Sequence, residues 1–273
     1  LKQIQKGASL YIKMCQQSFV KNGFFQSEID RIFVSNLSDR EHYRKIVEVL
    51  SQKKFLTREQ ILSKLDVQSG GKISELIQDL TICRFISANA PIGKVENSKL
   101  QRYQVSDSYL RFYYKFINPQ KAAIERGQFD KTPIKGLNNA TWRKWLGFAF
   151  EHWCLENAVL VAEVLSFADV QYKVGPYFNR STNQLNPGFQ IDLMFDRSDR
   201  VVSVCEIKYT DNPVGSEVIK EFSKKIELLN LSPRKTLQKI LITAAGAKPE
   251  LSGYFDRIIT LDQLFNGYIN TSK

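Results

Sequence analysis

Residues 188–192 read Gly188-Phe-Gln-Ile-Asp192, and after thirteen intervening residues 206–208 read Glu206-Ile207-Lys208. Between them Asp196-Arg197-Ser198-Asp199 has turn chemistry. Phe189 to Phe195 and Val201 to Tyr209 are therefore expected as strands of an antiparallel hairpin closed by a four-residue link. Side chains alternate along a strand, so Glu206 and Lys208 share a face with Val202 and Val204 while Ile207 points away. Asp192, on the neighbouring strand, can lie beside them. An acid and a base thus interrupt a strand that otherwise reads as buried. Unpaired charges there would cost several kcal/mol. A structural ion pair offsets part of that cost. A metal site offsets more and accounts for the second carboxylate. Asp192, Glu206 and the Ile207 carbonyl supply the oxygen ligands that Mg²⁺ or Mn²⁺ prefers. Lys208 is then placed to orient a metal-bound water or to stabilise developing negative charge.

Around the hairpin the pattern is α/β. Trp142 to Val164 reads as a long helix, with Trp145, Leu146, Ala149, Trp153 and Leu160 as core positions. Val170 to Val174 reads as a short strand. Glu217 to Asn230 reads as a helix with Ile219, Phe222, Ile226 and Leu229 inward. Lys239 to Ala244 and Ile258 to Leu261 complete the strands, and Asp262 caps a final turn. The order is α-β-β-β-α-β with a small addition, over residues 142–273. Residues 119–141 are polar, carry Gly127, Pro133 and Gly136, and read as a linker.

Residues 39–118 follow a different order. Ser38 or Asp39 caps a helix with Tyr43, Ile46, Val47 and Leu50 at helical spacing. Thr57 and Gln60 form a capping box ahead of Ile61, Leu62 and Leu65. A third helix spans about 71–81. Arg84 to Ala88, a turn over Pro91 to Ser98, and Leu100 to Val105 then form a hairpin. Three helices and a hairpin are the order of a winged helix-turn-helix. Its recognition helix would expose Lys72, Ser74, Glu75, Gln78 and Asp79. Two acids there argue against phosphate contact, whereas Lys94, Lys99 and Arg102 on the wing argue for it. The nucleic-acid-binding set is Lys72, Lys94, Lys99 and Arg102. Asp107 caps a further helix to Ile117, whose aromatics Tyr109, Phe112, Tyr113, Tyr114 and Phe116 read as packing groups. Residues 1–38 read as two helices, the first with Leu10, Met14 and Ile4 on one face.

Bulk properties narrow the classes. The 273 residues are 43% hydrophobic and 25% charged, ordinary for a globular chain and unlike a disordered or fibrous one. No apolar run reaches the roughly 18–20 residues of a membrane helix, and no signal peptide is evident. The net charge of +11 favours polyanions, DNA among them, as a prior. Cys15, Cys83, Cys154 and Cys205 form no CxxC pair, so a disulfide framework or cysteine metal site is not expected, and a reducing cytoplasm fits. The chain starts at Leu1, and the expectation is a piece of something longer or a processed protein.

The Asp192, Glu206-Ile207-Lys208 hairpin between two helices resembles the PD-(D/E)xK nuclease superfamily. That resemblance implies a restriction-endonuclease-like fold and a fourth catalytic position on the preceding helix, where Glu151 of Phe150-Glu151-His152 stands. The chain also resembles the C-terminal part of a group of archaeal and bacterial AAA-type ATPases, in which an ATPase module precedes a winged helix and a nuclease-like domain. Asp107-Ser-Tyr-Leu-Arg-Phe-Tyr113, Gly147-Phe-Ala-Phe-Glu151 and Ile259-Thr-Leu-Asp-Gln-Leu-Phe265 carry that likeness beside the hairpin. It implies that residues 1–38 are a helical remnant of the ATPase lid, and that the partners are DNA and an ATPase module of the parent polypeptide or an oligomeric partner. The chain departs from these relatives in three ways. No proline directly precedes Asp192, and Gln190 stands where many relatives carry glutamate. No G-x-x-x-x-G-K-S/T loop is present, so P-loop binding of ATP is not expected of this chain.

Two functions follow as expectations: a Mg²⁺- or Mn²⁺-dependent DNA phosphodiesterase, or a non-catalytic DNA- or protein-binding module on a degenerate nuclease fold. Glu151, Asp192, Glu206 and Lys208 are the catalytic set. His152 lies roughly 100° around the helix from Glu151 and reads as packing or solvent-facing. Lys224 and Lys225 read as a solvated helix face, and Tyr209 as a packing group.

Overall fold

The computed structural model describes residues 9–34, 40–68, 70–93, 100–179 and 188–271. The chain divides into two compact units, Leu1–Ala88 with Gln101–Lys144, and Asn89–Leu100 with Trp145–Lys273.

The first unit begins with helices α1 (Leu10–Phe19), α2 (Phe24–Val34) and α3 (Arg40–Ser51), followed by the two-residue strand β1 (Leu56–Thr57). Helices α4 (Arg58–Leu65) and α5 (Gly71–Ile82) lead to strands β2 (Ile86–Asn89) and β3 (Arg102–Val105). The strands form one sheet in the order β1-β3-β2. Tyr43, Ile46, Val47 and Leu50 are buried, as their spacing requires. The Thr57–Gln60 capping box forms in both directions. Gln60 N–H donates to Thr57 Oγ1 (3.3 Å) and Thr57 N–H to Gln60 Oε1 (2.9 Å). The Ser38 or Asp39 cap lies outside the described residues.

Two features of this unit differ from expectation. On α1, Leu10 is 48% exposed, and the buried stripe instead runs through Cys15, Ser18 and Phe19. The reason is what faces it. Phe19 meets Phe129 edge-on (6.1 Å between centroids), and Tyr11 donates to the Leu137 carbonyl. Residues 119–141, expected as a linker, supply that surface. The second difference is continuity. Helix α6 (Ser108–Phe112) runs into a π-helical turn (Tyr113–Ile117), a 3₁₀ turn (Asn118–Gln120) and α7 (Lys121–Glu125), where a stop at Asn118-Pro119 was expected. Pro119 has no N–H and crowds the carbonyl four residues back, and the change of helical pitch accommodates it. Phe112, Tyr113, Tyr114 and Phe116 are all buried, so the aromatic helix is a packing element.

Helix α8 (Asn139–Glu156) breaks at Asn157 before α9 (Ala158–Val164). Strands β4 (Tyr172–Asn179), β5 (Phe189–Arg197) and β6 (Val201–Lys208) follow, then α10 (Glu217–Leu228), β7 (Thr236–Thr243), β8 (Arg257–Thr260) and α11 (Leu261–Thr271). The five strands form a mixed sheet in the order β4-β5-β6-β7-β8. The first three pair antiparallel. After the crossover through α10, β7 pairs parallel to β6, and β8 parallel to β7. Asp262 falls in the first turn of α11, a full helix where a single turn was expected.

Both sheet faces are covered, which is why β6 reads as a nearly continuous apolar run. On one face Phe150, Cys154 and Val161 pack with Leu193, Phe195, Cys205 and Ile207. On the other Val218 and Phe222 of α10 pack with Ile191, Met194, Val202, Val204 and Leu241. Ser203, fully buried, is satisfied by Gln238 on the paired strand (2.7 Å). Ile92, in the expected wing turn, belongs to this unit. It donates its N–H to Pro176 O (3.3 Å) and packs against the α10-side core. Among the described residues no helix is long and apolar enough to cross a membrane.

Among the described residues of the first unit, Gly136 makes the tightest approach, against the Phe19 side chain. A Cβ there would stand 2.6 Å from Cδ1 and 2.8 Å from Cβ of the buried Phe19. Gly136→Ala is therefore expected to cost about 1–3 kcal/mol, the range for overpacking a core, measured by urea unfolding. An unchanged midpoint would contradict the packing of α1 against this segment.

Candidate functional site

The site is built on β6, a central strand held by β5 on one side and β7 on the other. Glu206 follows Val202 and Val204 on the face covered by α10, and its side chain is 1% exposed. A carboxylate so placed must be neutralised by neighbours. Two lysines do this. Lys208 Nζ lies 3.0 Å from Glu206 Oε1, and Lys225 Nζ donates to Glu206 Oε2 at 2.6 Å. Lys208 also reaches Glu221 Oε2 at 3.4 Å. Burial works against the Lys208 ammonium, but the Glu206 and Glu221 carboxylates outweigh it and hold its pKa above the ordinary lysine value.

Lys225 was expected on a solvated face. It lies one turn beyond Phe222 and one turn before Leu229, both buried, so the inward stripe of α10 carries it onto the sheet. The crossover from β6 to β7 sets α10 over Val204, and the lysine stem spans the remaining distance. The helix spacing held this signal, and Glu221, on the next position from Phe222, belongs to the same edge.

Asp192 is placed by a bulge. Gly175 pairs with Met194 and Tyr177 with Ile191, so Asp192 and Leu193 together stand against the single residue Pro176. Proline has no N–H for the ladder, which explains the irregularity. Ile191 and Met194 consequently both enter the α10-side core, and Asp192 leaves the strict alternation. Its carboxylate acts on the thiols of both Cys154 and Cys205. Glu151 of α8 acts on Cys154 as well, and Glu206 on Cys205. Burial is the first cause of the raised pKa of both thiols, and these carboxylates add to it. Asp192 is thus the one of these acids whose charge acts on both thiols. Gln190 Nε2 approaches Asp192 Oδ1 at 3.5 Å. Tyr209 packs against Phe150, facing away from Lys208, and His152 is buried.

The chemistry of this donor set suits a hard divalent cation: Asp192 and Glu206 carboxylates and the carbonyl of Ile207, whose side chain lies in the α8-side core. Among the described residues, however, no group of three or more His, Cys, Asp or Glu side chains is arranged to hold a metal ion. Both Glu206 oxygens face ammonium groups instead.

In the first unit, Lys72 is exposed on α5, as are Glu75 and Gln78. Asp79 is committed to the Tyr43 hydroxyl (2.6 Å), and Ser74 accepts from Arg58 (2.7 Å). Arg102 lies over the Phe55 ring at 3.8 Å. Lys94 and Lys99 lie outside the described residues.

Residues 113–225 match a family described as archaea bacterial proteins of unknown function, a stretch that contains Glu151, Asp192, Glu206 and Lys208 and ends at Lys225. The chain is also similar to the uncharacterized protein MJECL04 of Methanocaldococcus jannaschii, with 27% identity over 194 residues, 70% of this chain. The matched region spans 40% of the length of that relative. No solved structure matches.

The ion pairs predict a stability cycle. Lys208→Met with Lys225→Met leaves Glu206 buried and uncompensated, and is expected to cost about 3 kcal/mol in chemical denaturation. Adding Glu206→Met is expected to recover most of it, because a well-packed apolar group replaces the stranded charge. A triple variant no more stable than the double one would contradict this account.

Proposed function

We propose that the second unit is a metal-dependent phosphodiesterase module of the PD-(D/E)xK type acting on DNA, and that the first unit is a winged helix that brings it to its substrate or to a partner. The observation that carries this reading is Glu206: an acid 1% exposed, on the central strand, two residues before a lysine and beside the Asp192 bulge. Such a placement is costly for a purely structural role. The order of strands and helices in the sheet supports the same reading, and three helices followed by a small sheet support the winged helix. Activity of a longer parent protein with an ATPase module is part of the proposal.

Asp192, Glu206 and the Ile207 carbonyl would hold the cation, which when bound neutralises phosphate charge and acidifies a water. Lys208 holds Glu206 in place and offers its ammonium to negative charge developing on the phosphate. Glu151, on the helix before the hairpin, is the fourth position of the set, and its charge acts on Cys154 together with that of Asp192. Lys72 gives α5 one exposed positive group for a phosphate backbone, and the +11 net charge supports association with a polyanion.

One observation favours a second reading. Lys208 and Lys225 already satisfy both Glu206 oxygens, which permits a non-catalytic docking module whose ion cluster is structural.

Supercoiled plasmid separates the two. The proposal expects nicking that requires Mg²⁺ or Mn²⁺ and falls by about 10²-fold or more in Lys208→Ala and Asp192→Ala, the scale of losing one preorganised charge-stabilising group. Absence of nicking in every metal, with retained DNA binding, would establish the docking reading. Nicking that survives both substitutions would contradict the assignment of the site.

A further inference from the structure

The two oxygens of Glu206 face two different ammonium groups, at 3.0 Å and 2.6 Å. Lys208 divides its charge between Glu206 and Glu221, so Lys225 makes the closer contact to Glu206 and completes its neutralisation. The two lysines are not equivalent. Lys208 is carried on β6, where it pairs with Thr243 of β7, and is shared with Glu221. Lys225 stands in the last turn of α10 and reaches Glu206 from the helix, with 23% of its side chain open to solvent against 31% for Lys208. It can withdraw its head to water without moving the helix. No cation can approach Glu206 Oε2 while Lys225 holds it, because like charges at that range repel strongly in a partly desolvated site.

We infer that Lys225 is a built-in competitor for the divalent cation: its ammonium holds the cation's place beside Glu206, and metal entry requires it to leave. This rests on the proposed metal-dependent reading and adds a regulation of the same site. Lys225 is a positioning residue, acting through Glu206. It also gives the buried carboxylate a neutral resting form, so the unit keeps its fold at low metal concentration.

Titration of the full chain with Mn²⁺, read by the electron paramagnetic resonance signal of free Mn²⁺, tests this without reference to cleavage. Lys225→Met is expected to bind Mn²⁺ about tenfold more tightly than the native protein, since one competing unit charge is removed. Lys225→Arg, which keeps the charge, is expected to stay within about threefold of the native affinity. Glu206→Gln is expected to abolish binding in either background. Lys225→Gln serves as a shorter polar replacement, and circular dichroism confirms that each variant is folded. Equal affinity in the native protein and Lys225→Met would overturn the inference and leave the metal-dependent reading standing. Equal tightening by Met and Arg would also overturn it, because packing rather than charge would then be responsible. No Mn²⁺ binding by the native protein or by Lys225→Met would overturn the inference and the metal-dependent reading together.

Discussion

Glu206 has almost no access to water, and a carboxylate in that position can remain charged only if the fold brings cations to it. This requirement fixes much of the second unit. It needs β6 to be central, so that the strand cannot turn its acid to solvent. It needs a helix on the same face, close enough for a lysine stem to cross to the strand. The parallel β6–β7 pair provides that helix, because a parallel connection must pass over the sheet. It also needs Lys208 two residues on, where strand geometry returns a side chain to the same face. Apolar packing of Val204 and Phe222 sets the distance between strand and helix, and the ion pairs occupy the end of that interface.

The opposite face is arranged around two thiols. Cys154 and Cys205 are fully buried, and their burial is the main reason they resist ionisation. Asp192 lies in the bulge that forms because Pro176 cannot complete the ladder and β5 takes up an extra residue, and its charge acts on both thiols. A regular strand would have paired it directly with Glu206, in continuation of the Leu193–Cys205 register.

Much of this was legible in the residues themselves. Alternation placed Glu206 and Lys208 together and sent Ile207 to the opposite core. Thr57 and Gln60 announced their helix start, and Tyr43 to Leu50 their buried stripe, because local hydrogen bonds and short periodicities need no knowledge of distant partners. The misses have a common cause. The burial of Cys15 and Ser18 in place of Leu10 depends on residues around 129–137, far along the chain. The polar composition of 119–141 suggested a linker, yet Ile124, Phe129 and Leu137 are enough to anchor it. Lys225 looked solvated because a lysine on a helix edge usually is, and only the crossover shows that the edge faces a buried acid. The bulge at Asp192 could have been suspected from Pro176, whose missing donor forbids a regular ladder, but the pairing register was needed to locate it.

The account turns on what occupies the space beside Glu206. A crystal of the full chain soaked in Mn²⁺, with anomalous scattering used to locate the metal, addresses that directly. The expected result is an anomalous peak bonded to Glu206 and Asp192, with the Lys225 head group moved away into solvent. Clear density for Lys225 still seated on Glu206, with no anomalous peak at a saturating concentration of the metal, would contradict it.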